Sequence, residues 1–161
     1  MIIKIGGIVE RSDISTSLYQ YKAEEGMEIA REFVGEVLEK IGQEDFRLLA
    51  VSGSVARTQD VCHDVDIIVV CAGRLTENFD HPIYGIKNEF IQRGKAVDII
   101  PVFRRPLSRK GWFYLMSARL VNDAIPLYEN PDGYLSRLKG ILSKNRDHYL
   151  EVDREASLLK C

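Results

Sequence analysis

A carboxylate surrounded by apolar side chains is costly unless it is paired or neutralised, so acids inside apolar strands constrain both packing and chemistry. This chain has two such segments, Asp64-Val65-Asp66-Ile67-Ile68-Val69-Val70 and Ala96-Val97-Asp98-Ile99-Ile100. In an extended strand, residues two apart project to one face, which points Asp64 and Asp66 the same way. A second acid-bearing strand laid beside them would complete a three-carboxylate cluster with Asp98. Hard oxygen donors of this kind suit Mg²⁺, which takes one or two protein carboxylates and fills its octahedron with water and substrate phosphates. Taken alone, the same acids also fit a structural metal site or a solvent-facing row on an edge strand.

Upstream of the acids, Phe46 to Ser52 reads as a buried strand, and Gly53-Ser54 turns the chain into a short helix around Val55 to Gln59. A strand that runs into a helix start directs free backbone N–H groups at any anion there. Gly53 permits close backbone approach, and the Ser54 hydroxyl can bond a phosphate oxygen. By itself a Gly-Ser pair is an ordinary turn with a serine cap. What distinguishes this one is its spacing, with nine residues between Ser54 and Asp64.

Together, Leu49-Ala50-Val51-Ser52-Gly53-Ser54-Val55-Ala56-Arg57, Asp64-Val65-Asp66-Ile67-Ile68-Val69-Val70 and Val97-Asp98-Ile99 resemble the signature of the DNA polymerase beta-like nucleotidyltransferase superfamily. The likeness is to the small stand-alone members related to kanamycin nucleotidyltransferase, whose first motif often reads Gly-Ser-x-Ala-Arg-Gly. Ala56 and Arg57 match that version; Thr58 stands in place of its last Gly, and His63 where Ser commonly precedes the first Asp. The resemblance covers about residues 46–103. It implies an α+β fold, a small mixed sheet flanked by helices like the polymerase beta palm, and metal-dependent transfer of a nucleoside monophosphate, most readily AMP from ATP, to an acceptor hydroxyl.

By the same resemblance, Asp64 and Asp66 hold two Mg²⁺ ions, with Mn²⁺ as substitute. Asp98 ligates the ion on the acceptor side, and Gly53 and Ser54 hold the β and γ phosphates of ATP or another nucleoside triphosphate. Arg57, one turn from Ser54, either reaches the triphosphate or is an exposed structural arginine. The acceptor is a small molecule, a protein hydroxyl or an RNA end. Some stand-alone members pair with a helical HEPN-type toxin and modify its tyrosine, so a helical protein or a second copy of the chain is the expected protein partner. The alternative is a catalytically inactive nucleotide-binding or antitoxin-like interaction domain of the same fold; retention of all three acids and the serine favours the enzyme.

With 161 residues, 45% of them apolar, the chain is expected to form one domain over 1–161 with a genuine core, its C-terminal helical part spanning about 110–161. A net charge of −2 lacks the basic excess of a general nucleic-acid binder, which disfavours a long polynucleotide acceptor. No apolar run has the length of a membrane span and the first residues do not read as a signal peptide, so a cytoplasmic location without membrane contact is expected. Cys62, Cys71 and Cys161 have no metal-ribbon spacing and read as reduced thiols; Cys62-His63 reads as a small buried thiol and a loop histidine rather than metal ligands.

Elsewhere, Glu24 to Ile41 has helical spacing through Met27, Ala30, Phe33, Val34, Val37, Leu38 and Ile41. Ile2 to Ile5 reads as a short strand, Gly6-Gly7 as a turn and Ile8-Val9 as a return. Asp64 to Cys71 and Val97 to Phe103 are predicted strands. Pro82 to Gln92 fits a helix ending at Gly94, with a hairpin turning at Arg93-Gly94 as the second choice. A helix is predicted from about Lys110 to Asn122, an edge strand over Ala124 to Tyr128 where Pro126 needs no ladder donor, and a long helix after Asn130-Pro131-Asp132 with Leu135, Leu138, Leu142, Tyr149 and Val152 along one face. Arg104, Arg105, Arg109 and Lys110 form a basic run, a solvated loop first and a phosphate or acceptor contact second.

Overall fold

Helix α1, Ala23–Lys40, begins with Glu24 and Glu25 in its first turn and ends on Lys40, both favourable to the helix dipole. Its buried face is Gly26, Ile29, Ala30, Phe33, Val34 and Val37. Met27, Leu38 and Ile41, predicted for that face, flank it half-buried, while Ile29 joins the core. The rotation has a cause in Gly26. A Cβ there would lie 2.6 Å from Val55 Cγ2, so only glycine lets the helix settle onto the residues after the first strand.

The computed structural model describes residues 19–72, 81–102, 120–141 and 143. After a 3-10 turn at Gln43–Asp45, strand β1 (Phe46–Ser52) leads into the four-residue helix α2 (Gly53–Ala56), which starts earlier than the predicted Val55 to Gln59. Strand β2 (Val65–Cys71), helix α3 (Pro82–Gln92), strand β3 (Val97–Pro101) and strand β4 (Ile125–Glu129) follow. Pro82 occupies the first turn of α3, where its missing N–H is no loss, and His81 Nδ1 accepts from the Ile83 N–H at 3.3 Å. The helix reading of this segment holds over the hairpin. Residues 120–122, 134–141 and 143 are also helical. The predicted elements at Ile2 to Val9, most of Lys110 to Asn122, the positions Leu142, Tyr149 and Val152, and the basic run Arg104, Arg105, Arg109 and Lys110 lie outside the described residues.

The strands form one mixed sheet in the order β3-β2-β1-β4, with β1 antiparallel to β2 and β4, and β3 parallel to β2. A parallel neighbour requires a crossover, which contains α3. β1 and β2 are interior and buried on both faces, which is why they read as continuous apolar runs rather than as alternation. One face, with Leu49, Val51, Val65, Ile67, Val69, Val97 and Ile99, packs under α1 and α3. The other, with Leu48, Ala50, Ile68 and Val70, packs against Val121, Ala124 and Leu135. Arg47 is the extra residue of a β-bulge, where Phe46 pairs with Cys71 and Leu48 with Val70. Pro126 sits on β4 at the end of the sheet, as an edge strand allows. Among the described residues no helix is long and apolar enough to cross a membrane.

One residue ahead of α1 ties the acid-bearing strands together. Tyr21 exchanges both backbone hydrogen bonds with Cys62, at 2.8 and 2.9 Å, just before β2. Its hydroxyl accepts from the Ala96 N–H at 2.7 Å and donates to the Gly94 carbonyl at 3.1 Å, just before β3. Tyr21→Phe leaves both groups without that partner and is expected to cost about 1–2 kcal/mol in urea denaturation.

Candidate functional site

Where β1 runs into α2, the register aligns three polar side chains across three strands. Ser52 pairs with Asp66, and Asp66 pairs with Asp98. By strand alternation all three lie on the face that carries Ala50, Ile68 and Ile100. Asp64 does not belong to the strand as predicted: β2 begins at Val65, the first residue paired with β3, and Asp64 stands exposed in the bend before it. A carboxylate at the strand's open end retains water that it would lose one pair further in.

Gly53 begins α2 with φ of +66°, a left-handed conformation that favours glycine. A Cβ at this position would fall on Asp66 Oδ2 and 3.0 Å from its Cγ. Ser54 is half-buried in the first turn of α2. Ser52 occupies the N-cap position, yet its side chain makes no cap; the hydroxyl donates to the Leu120 carbonyl instead. The first-turn amides, which have no intrahelical acceptor in any helix, therefore receive none from this serine. Arg57 closes α2 and pairs with Asp123 at 3.4 Å, both side chains well exposed.

The field of the site concentrates on Asp66. Burial, then the charges of Asp64 and Asp98, push its carboxyl up from 3.8 to about 6, with Arg57 partly offsetting them. Asp98 Oδ1 accepts from Lys87 Nζ of α3 at 2.7 Å and from the Ile99 N–H at 3.1 Å. Among the described residues no three His, Cys, Asp or Glu side chains gather into a metal cage. The expected cluster is thus a row of neighbouring carboxylates whose third member is turned to a lysine. Its donor chemistry still fits Mg²⁺, which needs only one or two protein carboxylates beside water and phosphate oxygens. An open depression of about 750 Å³ between α1, α2 and β4, lined by Met27, Arg31, Val55 and Ile125, includes none of these acids.

The comparisons with known proteins agree with this geometry at the level of fold. Neither the family models nor the curated proteins give a match to the sequence. Solved structures do. A chain from a toxin–antitoxin complex with AMP-PNP aligns with a TM-score of 0.57 at 17% identity, over 81% of this chain and 96% of that one. Another, from a complex of tri-AMPylated Shewanella oneidensis HEPN toxin with MNT antitoxin, gives 0.53 at 16% identity over 84% and 97%. A third, from the toxin–antitoxin pair MntA-HepT, gives 0.55 at 15% identity over 83% and 97%. The chain shares the fold of these toxin–antitoxin chains, α+β with a small mixed sheet flanked by helices. In this fold the Gly53-Ser54 turn, Asp66 and Asp98 come together at one end of the sheet, with Asp64 at the rim and Arg57 at the end of α2. Ser52, Lys87, Asp123 and Tyr21 join the site or brace it without having been singled out from the sequence for those roles; the strand register reveals Ser52, and tertiary contacts reveal the other three.

Proposed function

We propose that the protein is a divalent-cation-dependent nucleotidyltransferase that moves a nucleoside monophosphate, AMP from ATP, to an acceptor hydroxyl. The observation that carries this reading is the cross-strand row Ser52–Asp66–Asp98 beside the uncapped first turn of α2. The acceptor oxygen bonds to the α phosphorus, the bond from that phosphorus to the oxygen bridging to the β phosphorus breaks, and pyrophosphate leaves. Ser54 and the α2 amides bind the outer phosphates. Asp64 and Asp66 would hold Mg²⁺, or Mn²⁺ in its place, and Asp98 would serve a second ion on the acceptor side and receive the acceptor proton. Such ions, when bound, stabilise the charge on the entering and leaving oxygens. The chain's own part is positioning, since an in-line displacement gains most from holding its reactants aligned.

AMP as the transferred group and a protein hydroxyl as acceptor are supported by the AMP-PNP and the tri-AMPylated toxin in the complexes of similar fold. A helical protein partner is proposed on the same ground. The cytoplasm is the compartment proposed for this chemistry, where ATP is at hand.

Metal dependence tests the reading. Calorimetric titration should show ATP binding with Mg²⁺ or Mn²⁺ and little binding with a chelator, because the triphosphate and the row of carboxylates repel each other without a cation. Equal affinity under both conditions would sink the proposal. Ser54→Ala should weaken ATP binding by about 1 kcal/mol, the worth of one phosphate hydrogen bond, while label transfer persists at saturating nucleotide.

A further inference from the structure

We propose that Lys87 is a positioning residue that competes with a divalent cation for Asp98 and keeps the third carboxylate engaged until the nucleotide arrives. The inference rests on the nucleotidyltransferase reading and concerns a residue outside its motifs. Lys87 lies on α3, whereas the acids lie on or beside β2 and β3. Its ammonium reaches the edge of the sheet to give Asp98 Oδ1 a charge-assisted hydrogen bond of 2.7 Å. The lysine side chain is 24% exposed and that of Asp98 53%, so the pair lies at the surface with the lysine stem largely covered.

The position matters more than the pair. An isolated surface ion pair is worth little, but Asp98 is the register partner of Asp66 and shares its field with Asp64. A cation at Asp98 is therefore attracted by the whole row, and an ammonium already there has to be displaced before a second cation can use Oδ1. The arrangement disfavours cation binding to the empty site and leaves the triphosphate, which brings its own oxygen ligands and negative charge, to shift the balance.

Mn²⁺ binding followed by the electron paramagnetic resonance signal of the free ion tests this without any turnover. In the absence of nucleotide, Lys87→Met, which keeps the aliphatic stem, should bind Mn²⁺ about fivefold more tightly than the parent, the upper end for a solvent-screened pair. Lys87→Arg, which keeps the charge, should stay within about twofold, and Lys87→Met with Asp98→Asn should lose the gain. Circular dichroism confirms that each variant is folded. An affinity unchanged by Lys87→Met, or a gain that survives Asp98→Asn, would overturn the role of Lys87 while leaving nucleotidyl transfer standing. Failure of the underlying reading has a different signature, in which neither parent nor variant binds Mn²⁺ with or without ATP, and both proposals fall together.

Discussion

Asp66→Asn is expected to leave a folded protein that transfers nothing and yet, in metal-free buffer at pH 7, withstands urea better than its parent by about 1–3 kcal/mol. The first effect follows from removing the carboxylate at the centre of the row. The second follows from the sign of the shift. Folding raises the Asp66 carboxyl from 3.8 to about 6, so between those values the folded chain binds a proton that the unfolded chain has released. Parent stability therefore falls as pH rises through that window and stays low above it. A shift of roughly two units corresponds to about 3 kcal/mol, an upper figure because the side chain is partly open to solvent screening. Asparagine does not titrate, so the gap between variant and parent should be near zero at about pH 3.5 and complete by about pH 7. Saturating Mg²⁺ should narrow it, since a ligand that binds only the folded parent stabilises that protein alone. Urea melts at both pH values decide the matter: a gap of the same size at each would show that Asp66 is not strained by burial and its neighbours.

The order of the elements was legible where local chemistry punctuates the chain. Gly53 ends β1, Pro82 opens α3, and the i, i+3, i+4 spacing through Phe33, Val34 and Val37 marks α1. The acids were legible because a carboxylate in an apolar strand has few bland explanations. What the one-dimensional pattern could not carry is register. Lys87 was readable as part of α3, but nothing local indicates that eleven residues on it meets Asp98 across the crossover. Ser52 read only as the last residue of a strand; its pairing with Asp66 and its hydrogen bond to the carbonyl of Leu120 come from the fold. Asp64 was misplaced for a related reason. Period-two spacing assigns a face but not the point at which pairing begins, and here it begins one residue later, at Val65. Ile29 entered the α1 core because Gly26 lets that flank approach Val55, a packing fact that periodicity does not contain.

Gly53→Ala is expected to damage stability and nucleotide binding together, by about 2–4 kcal/mol in stability, and the loss divides into two parts. An L-residue held at φ of +66° costs about 1–2 kcal/mol. The remainder is contact: the new methyl would fall on Asp66 Oδ2, so the carboxylate, or the β1–α2 corner, has to move, at about 1–2 kcal/mol for overpacking. Moving that corner turns the α2 amides and Ser54 away from the acids, and ATP affinity should fall with it. A double-mutant cycle separates the parts. In an Asp66→Ala background the methyl meets no carboxylate, so Gly53→Ala should cost only the conformational share. Asp66→Asn should not provide the same relief, because the amide fills the space of the carboxylate. If Gly53→Ala costs the same in the parent and in Asp66→Ala, backbone conformation alone demands the glycine, and the close approach between turn and acid contributes nothing. A cost that shrinks by half or more in Asp66→Ala would tie the phosphate turn mechanically to the carboxylate beside it, so that neither can be repositioned without the other.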